Sequence, residues 1–319
     1  MEYKERVVAI TVTFNSSELV LKAIKALKAQ TRKVDFIVVV DNHSRKEERM
    51  KIDAAVKNDP EIILVNMKEN FGGAGGFCAG MKYVKEKLNA DWYWLMDDDA
   101  FPENNCLEKL MEHAADSDDI GCLVPLIWGI DKKDYQLYHH KILSKYLTKD
   151  RPVVTNIDQL SDIVQIEANA FVGPLVSKRA VDEVGIADGS LFIYGDDLEY
   201  TYRISRKYKI YLVKTAQINH RDILVKNTIL DPKAWWKDYY DLRNRLFFIE
   251  KYATSFPKRI IGKSILGLKI IKRICDAIVK KDYKGYRKKR INILFKAWSD
   301  GNKNKRGKVI DPVEYCRNL

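Results

Sequence analysis

The chain has 319 residues, 46% of them hydrophobic and 11% aromatic, and carries a formal net charge of +12. That composition excludes a disordered polymer and allows one large α/β domain with a smaller appendage, or two modest domains. The charge is local: residues 258–308 hold 18 Lys/Arg against 3 Asp/Glu, so any nucleic-acid-binding reading rests on that C-terminal segment and not on the rest.

In chain order, MEYKERVVAITVTF opens without the long apolar region or small-residue cleavage site of a signal peptide. Within it VVAITVTF (7–14) reads as a buried strand, and Asn15-Ser16-Ser17 marks the start of a helix. FIVVV (36–40) is an apolar strand ending in Asp41-Asn42, followed by a charged helix at 46–58 and a third strand, IILV (62–65). The cluster NFGGAGGF (70–77) leads to a helix over about 77–88, and WYWLM (92–96) runs into Asp97, Asp98 and Asp99. This β-α-β-α-β-α-β order predicts a mostly parallel, doubly wound sheet, whose ligands sit at the carboxyl ends of its strands. Thr13, Asn15, Asp41, Asn42, Asn70 and the aspartate triplet all fall at those ends, which points to one site.

Residues 129–160 read as a loop-rich excursion. Strands resume at 163–166 and 173–176, with a helix near 178–185. LFIYGDDLEY then carries Asp196 and Asp197 into a helix, and KIYLVKTAQINH is a strand ending at His220. From about Pro232 the pattern is helical: an aromatic segment, WWKDYYDLRN (235–244), precedes the basic region. No stretch reaches the roughly 18 uninterrupted apolar residues of a membrane span. The five scattered cysteines lack C-x-x-C spacing, which fits a reducing compartment and argues against a disulfide framework or a zinc site. A cytoplasmic protein is expected, free to touch a membrane surface.

Three adjacent aspartates fit a solvated acidic turn, but a turn does not explain why they end an apolar strand. Asp97 and Asp99 offer two oxygens to one hard cation, Mg²⁺ or Mn²⁺, which would clamp a diphosphate and neutralise its charge on leaving. The glycine cluster fails the dinucleotide fingerprint G-x-G-x-x-G, because its third required glycine falls on Cys78. It remains either a tight structural turn or bare backbone at a helix N-terminus, open to a phosphate or sugar. In GDDLEY (195–200) the acids suit a helix start in any case, and one of them could serve as general base toward a hydroxyl. His220 is either a structural histidine or a third ligand beside the carboxylate pair. His139 and His140 carry no assigned role. The rings of 235–244 either fill a core or stack on sugars, with Arg243 available to phosphate. The alternation of isoleucine and leucine with Lys/Arg over 260–271 suits an amphipathic surface on anionic lipid, or a solvated helical face.

Taken together, NFGGAGGF, WLMDDDA, GDDLEY, His220 and YYDLRN, in that order, resemble the inverting GT-A glycosyltransferases of family 2, in their bacterial galactofuranosyltransferase-like branch. The resemblance covers roughly residues 5–250. It implies a GT-A catalytic domain at 1–250 and a basic helical region at 251–319. It implies that Thr13, Asn15, Asp41 and Asn42 contact the nucleotide, and that Asn70, Gly72, Gly73, Gly75 and Gly76 wall the donor's diphosphate and sugar. Asp97, Asp99 and His220 would bind Mn²⁺ or Mg²⁺, Asp98 would approach the ribose or sugar, and Arg243 the donor. Asp197 would be the base, with Asp196, Trp235, Trp236 and Tyr239 toward the acceptor. The implied reaction is inverting transfer of galactofuranose from UDP-galactofuranose to a lipid-linked cell-surface glycan at the inner face of the plasma membrane. The alternatives are rhamnosyl transfer from dTDP-rhamnose and a non-catalytic sugar-nucleotide-binding subunit. A nucleic acid partner is not expected.

Overall fold

The computed structural model describes residues 5–130, 134–221 and 231–319; the first four residues of the N-terminal run lie outside them. Its contacts divide the chain into two compact units: residues 1–142, 151–189 and 196–222 form the first, and residues 143–150, 190–195 and 223–319 the second.

In the first unit, β1 (Val7–Thr13), β2 (Phe36–Asp41), β3 (Ile62–Asn66) and β4 (Trp92–Asp97) alternate with α1 (Ser17–Lys28), α2 (Lys46–Val56) and α3 (Gly72–Lys87). The four strands are parallel, in the order β3-β2-β1-β4. All seven residues of β1 are buried, as expected of a strand covered on both faces. Its odd and even residues split between two apolar layers. Val7 and Ala9 pack with Trp92, Trp94 and the α1 residues Val20, Ile24 and Leu27. Val8, Ile10 and Val12 pack with Tyr93, Leu95 and the α3 residues Phe77, Met81 and Val84.

After β5 (Ala100–Pro102), α4 (Cys106–Met111) and β6 (Ile120–Gly129), the excursion is more ordered than its sequence suggests. It contains β7 (His140–Leu143) and β8 (Asp150–Pro152); with β10 (Ala168–Asn169), beyond β9 (Ile163–Ile166), they form a second sheet in the order β10-β7-β8. The chain continues through β11 (Val172–Ser177), α5 (Lys178–Val184), α6 (Asp196–Ser205) and β12 (Lys209–His220). The main sheet extends past β4 as β11-β6-β12-β5. β11 runs antiparallel to both β4 and β6, while β12 is parallel to β6. The sheet is therefore mixed, because β11 inserts in the opposite sense between two like-directed strands.

The glycine cluster departs from expectation. It is not a loop ahead of a helix starting near 77; α3 begins at Gly72 and the glycines form its first turns. A Cβ on Gly76 would lie 2.4 Å from Val12 Cγ1, and one on Gly80 2.5 Å from Ile10 Cγ2. Bare backbone lets α3 close onto β1, whose branched side chains have no room to retreat in a filled core.

The second unit holds α7 (Trp235–Tyr252), α8 (Phe256–Val279), α9 (Arg287–Asn302) and α10 (Pro312–Arg317). A boundary at 250 would cut α7, which packs instead on α8 and α9; the helical unit thus begins well before 251. Ser255 caps α8, and Pro257 lies in its first turn, where its missing N–H costs nothing.

Gly76→Ala is expected to destabilise the protein by about 1–3 kcal/mol through overpacking against Val12, outweighing the helix propensity gained. Gly73→Ala, whose Cβ would meet only Asp196 Oδ2 at 4.0 Å, is expected to be neutral or slightly stabilising. Urea unfolding of the two variants checks the contrast.

Candidate active site

The carboxyl edges of β1 and β4 lie side by side, with Val12 in register with Asp97. Thr13 Oγ1 donates to Asp98 Oδ2 at 2.6 Å, joining the two strand ends. The chain then turns through Asp99 into β5, which pairs antiparallel with the end of β12, Ala100 opposite His220. Arg221 N also donates to Asp99 O at 3.1 Å. This short ladder brings His220 to the aspartates from 120 residues away. One ligand atom each from Asp97, Asp99 and His220 lies within 4.8 Å of the others, and His220 Nε2 is 3.4 Å from Asp99 Oδ1.

The histidine's other nitrogen is occupied. His220 Nδ1 is 2.8 Å from Gln136 Oε1, and Gln136 Nε2 donates to His220 O at 3.3 Å. An amide oxygen only accepts, so Nδ1 carries a proton, and Nε2 is the nitrogen that faces the carboxylates. Gln136 lies in the irregular excursion, where no periodicity marked it. His139, assigned nothing from sequence, packs edge-on against the His220 ring at 5.3 Å between centroids, and burial lowers its pKa well below the usual imidazole value. His140 is buried, with Nδ1 2.7 Å from Asn169 Oδ1.

The start of α6 joins this cluster. Burial first, and then the charges of Asp99, Asp98, Asp197 and Asp196, hold the Asp97 carboxyl well above its ordinary range. Burial pushes Asp98 up to about 7 against the opposing hydrogen bond from Thr13, and burial with the Asp197 charge pushes Asp196 to about 8. Crowded acids of this kind resist ionising together unless a cation neutralises them. Two carboxylates and an imidazole that presents Nε2 to them make a donor set suited to Mn²⁺ or Mg²⁺. Gly73 turns its bare Cα toward Asp196.

The other residues expected to meet the donor are tied into the same edge. Asn42 Nδ2 donates to Asn70 Oδ1 at 3.2 Å and Gly72 O at 2.9 Å, while Phe71 N and Gly72 N donate to Asn42 Oδ1 and Asn70 Oδ1. Asp41 is buried, accepting from Ser44 N and from Arg49 Nε. Asn15, at φ 56°, accepts from Arg45 N at 2.8 Å. Gly75 lies against the Phe71 side chain, and Gly76 against Val12. Asn42, Asn70 and Asp41 thus shape the edge through bonds to the protein itself.

Arg243 and the aromatics belong to the second unit. Arg243 is buried, donating to Leu191 O and Gly307 O at 2.7 Å each and to Asn244 Oδ1 at 2.9 Å. Carbonyls, not a phosphate, occupy it. Trp235 is buried under the Arg290 guanidinium, and Tyr239 is buried with its hydroxyl on Asp300 Oδ2, so neither offers a free ring face. Trp236 is half-buried. Asn244 was missed from sequence: its Nδ2 reaches Leu191 O, Ile193 O and Tyr194 O at 3.1, 3.0 and 2.7 Å. That turn precedes Asp196 in the chain and holds Phe192 and Tyr194 at φ 68° and 63°, a costly conformation for aromatic residues.

The glycosyl transferase family 2 profile matches residues 8–168. Galactofuranosyltransferase GlfT1 of Mycolicibacterium smegmatis is 29% identical over 208 residues, 65% of this chain and 67% of that protein. Among solved structures, GalNAc-T7 with UDP, GalNAc and Mn²⁺ superposes with a TM-score of 0.58 at 18% identity, over 77% of this chain and 51% of that one. The mannosyltransferase PcManGT of Pyrobaculum calidifontis, in complex with GDP-Man and Mn²⁺, gives 0.57 at 12%, over 95% and 89%. Both superpositions show a GT-A-like fold.

Two outcomes are expected. Raised carboxyl pKa values stabilise the metal-free protein fully below pH about 4, and this contribution is lost as pH rises through 7 to 8. Mn²⁺, which favours the ionised acids, should therefore raise Tm over an EDTA control by more at pH 8 than at pH 5. Gln136→Leu should weaken Mn²⁺ binding about 10- to 100-fold, read by paramagnetic resonance titration without substrate.

Proposed function

The chain belongs to glycosyl transferase family 2, and from that premise we propose that it transfers galactofuranose from UDP-galactofuranose, with inversion, to a hydroxyl of a lipid-linked glycan. The observation that carries the reading is the convergence of Asp97, Asp99 and His220 beside the GDD acids, at the carboxyl edge where such a sheet takes its ligand. The similarity to a galactofuranosyltransferase supports the choice of sugar.

Asp97, Asp99 and His220 would hold Mn²⁺ or Mg²⁺. Such an ion, when bound, offsets the negative charge that grows on a departing diphosphate. Thr13 fixes the Asp98 carboxyl toward β1 and leaves Asp97 and Asp99 to the ion. Gly73 gives the donor sugar room, since the face it turns to Asp196 carries no side chain. Asp197 is the base: it lies in the first turn of α6 and its charge is felt at Asp97. It accepts the proton of the acceptor hydroxyl as that oxygen attacks the anomeric carbon from the side opposite the nucleotide diphosphate, so configuration inverts. Asp196, buried beside it, sets the local field and helps orient the acceptor. The protein acts as a cytoplasmic enzyme at the inner face of the membrane, where lipid-linked glycans present their sugars.

Asp197→Asn should lower transfer by about 10²–10⁴-fold while leaving UDP and Mn²⁺ affinity nearly unchanged; wild-type turnover would refute the base assignment. A donor panel of UDP-galactofuranose, UDP-galactopyranose, UDP-glucose and dTDP-rhamnose, each with Mn²⁺ and with EDTA, tests the sugar. Metal-dependent release from UDP-galactofuranose is expected. Release from dTDP-rhamnose alone would move the protein to rhamnosyl transfer, and metal-dependent UDP binding without turnover on any acceptor would make it a binding subunit.

A further inference from the structure

The helix α8 has two apolar faces, and only one is used by the fold. Gly262, Leu266, Ile270 and Ala277 are buried and fall within an arc of about 80° around the helix axis. On the opposite side Ile260, Ile261, Leu268, Ile271, Ile278 and Val279 are between 40 and 77% exposed, within an arc of about 100°. Ser264 and Cys275, both exposed, complete this stripe, which runs nearly the length of the helix without an acidic residue. The core therefore does not explain these side chains. A helix exposing so much branched aliphatic surface to water loses the free energy that burying it would return.

The surroundings of the stripe select its occupant. It ends at Ile278 and Val279, and the chain continues at once into exposed Lys280, Lys281, Lys284, Arg287 and Lys288. Lys272 is exposed on its flank. Between residues 258 and 308 cations exceed acids by 18 to 3. Among the described residues no helix is long and apolar enough to cross a membrane. An apolar stripe beside a dense basic cluster matches a surface that is anionic at its headgroups and hydrocarbon beneath. A second copy of this chain would bring like charge against like charge, and nucleic acid would leave the aliphatic stripe in water.

We propose that the outer face of α8 lies in an anionic lipid bilayer, with Ile260, Leu268, Ile271 and Ile278 entering the acyl boundary and the basic segment 280–288 resting on the headgroups. This deepens the lipid-linked acceptor reading by naming the surface that meets the lipid, yet it is tested without donor or acceptor, so its failure leaves the transfer reading standing.

The experiment is flotation of the full chain with phosphatidylcholine vesicles and with vesicles also containing phosphatidylglycerol, at low and high salt. Binding to the anionic vesicles, weakened by salt, is expected. Leu268→Glu/Ile271→Glu should reduce the partition coefficient by about a hundredfold, roughly tenfold per side chain; circular dichroism establishes that it remains folded. The milder Leu268→Ser/Ile271→Ser should fall between, and Met50→Glu, an exposed apolar site on α2, should float as wild type. Lys281→Gln/Lys284→Gln/Lys288→Gln should reduce binding to anionic vesicles and flatten its salt dependence. Wild-type flotation of Leu268→Glu/Ile271→Glu, or equal binding to neutral and anionic vesicles, would overturn the proposal. So would a wild-type dimer that binds no vesicle and that Leu268→Glu/Ile271→Glu dissociates, or oligonucleotide binding without vesicle binding.

Discussion

Carboxylates crowded at one edge of a mixed sheet set the terms for the structure around them. Asp97 ends β4, Asp98 and Asp99 follow it, and Asp196 and Asp197 open α6; burial raises the cost of ionising Asp97, Asp98 and Asp196, and neighbouring carboxylates raise it further. Such crowding is relieved by a proton or by a bound cation. The architecture can be understood from this requirement. β1 lends Thr13 to steady the middle acid, and the β5–β12 ladder delivers an imidazole whose far nitrogen is held by Gln136. The site is thus held largely by backbone pairing, which is more rigid than long side chains reaching in from loops.

The opposite wall is built by absence of side chains. α3 sits close enough to β1 that Gly76 and Gly80 have no space for a methyl group, whereas Gly73 has space it does not fill. The same residue type therefore does two jobs in one helix: permitting close packing at Gly76 and Gly80, and leaving open space beside Asp196 at Gly73. Sequence alone made the second reading attractive for the whole cluster. The structure gives Gly76 and Gly80 to packing and leaves Gly73 the space that such a reading needs.

Much of the first hundred residues was legible because period and punctuation agreed. Fully apolar runs marked parallel strands, and polar residues at each run's end marked one edge. The convergence of Asp97, Asp99 and His220 could be anticipated from residue type and from the strand ending at His220, although the β5–β12 pairing that achieves it leaves no mark in hydropathy. The antiparallel insertion of β11 was not legible, since a buried strand reads alike in either direction. Gln136 and His139 were hidden in a stretch without periodicity, where only the fold brings them to His220. Arg243 misled for a physical reason: a buried arginine on backbone carbonyls and an arginine facing a phosphate present the same letter beside the same aromatics.

Arg243 and Asn244 have a consequence for how the chain can be divided. Arg243 grips Leu191 O and Gly307 O together, and Gly307 N donates to Ser190 O. The left-handed turn that leads into the GDD acids is therefore braced by Arg243 and Asn244, roughly 50 positions further along the chain, and by Gly307, which lies still further on. Shortening the protein ahead of α8 would remove Gly307 and release that brace, although no proposed donor ligand would be lost. The C-terminal helices are better regarded as a splint for the turn at 190–195 than as a detachable anchor, and swapping them between relatives would transplant that turn's conformation along with them.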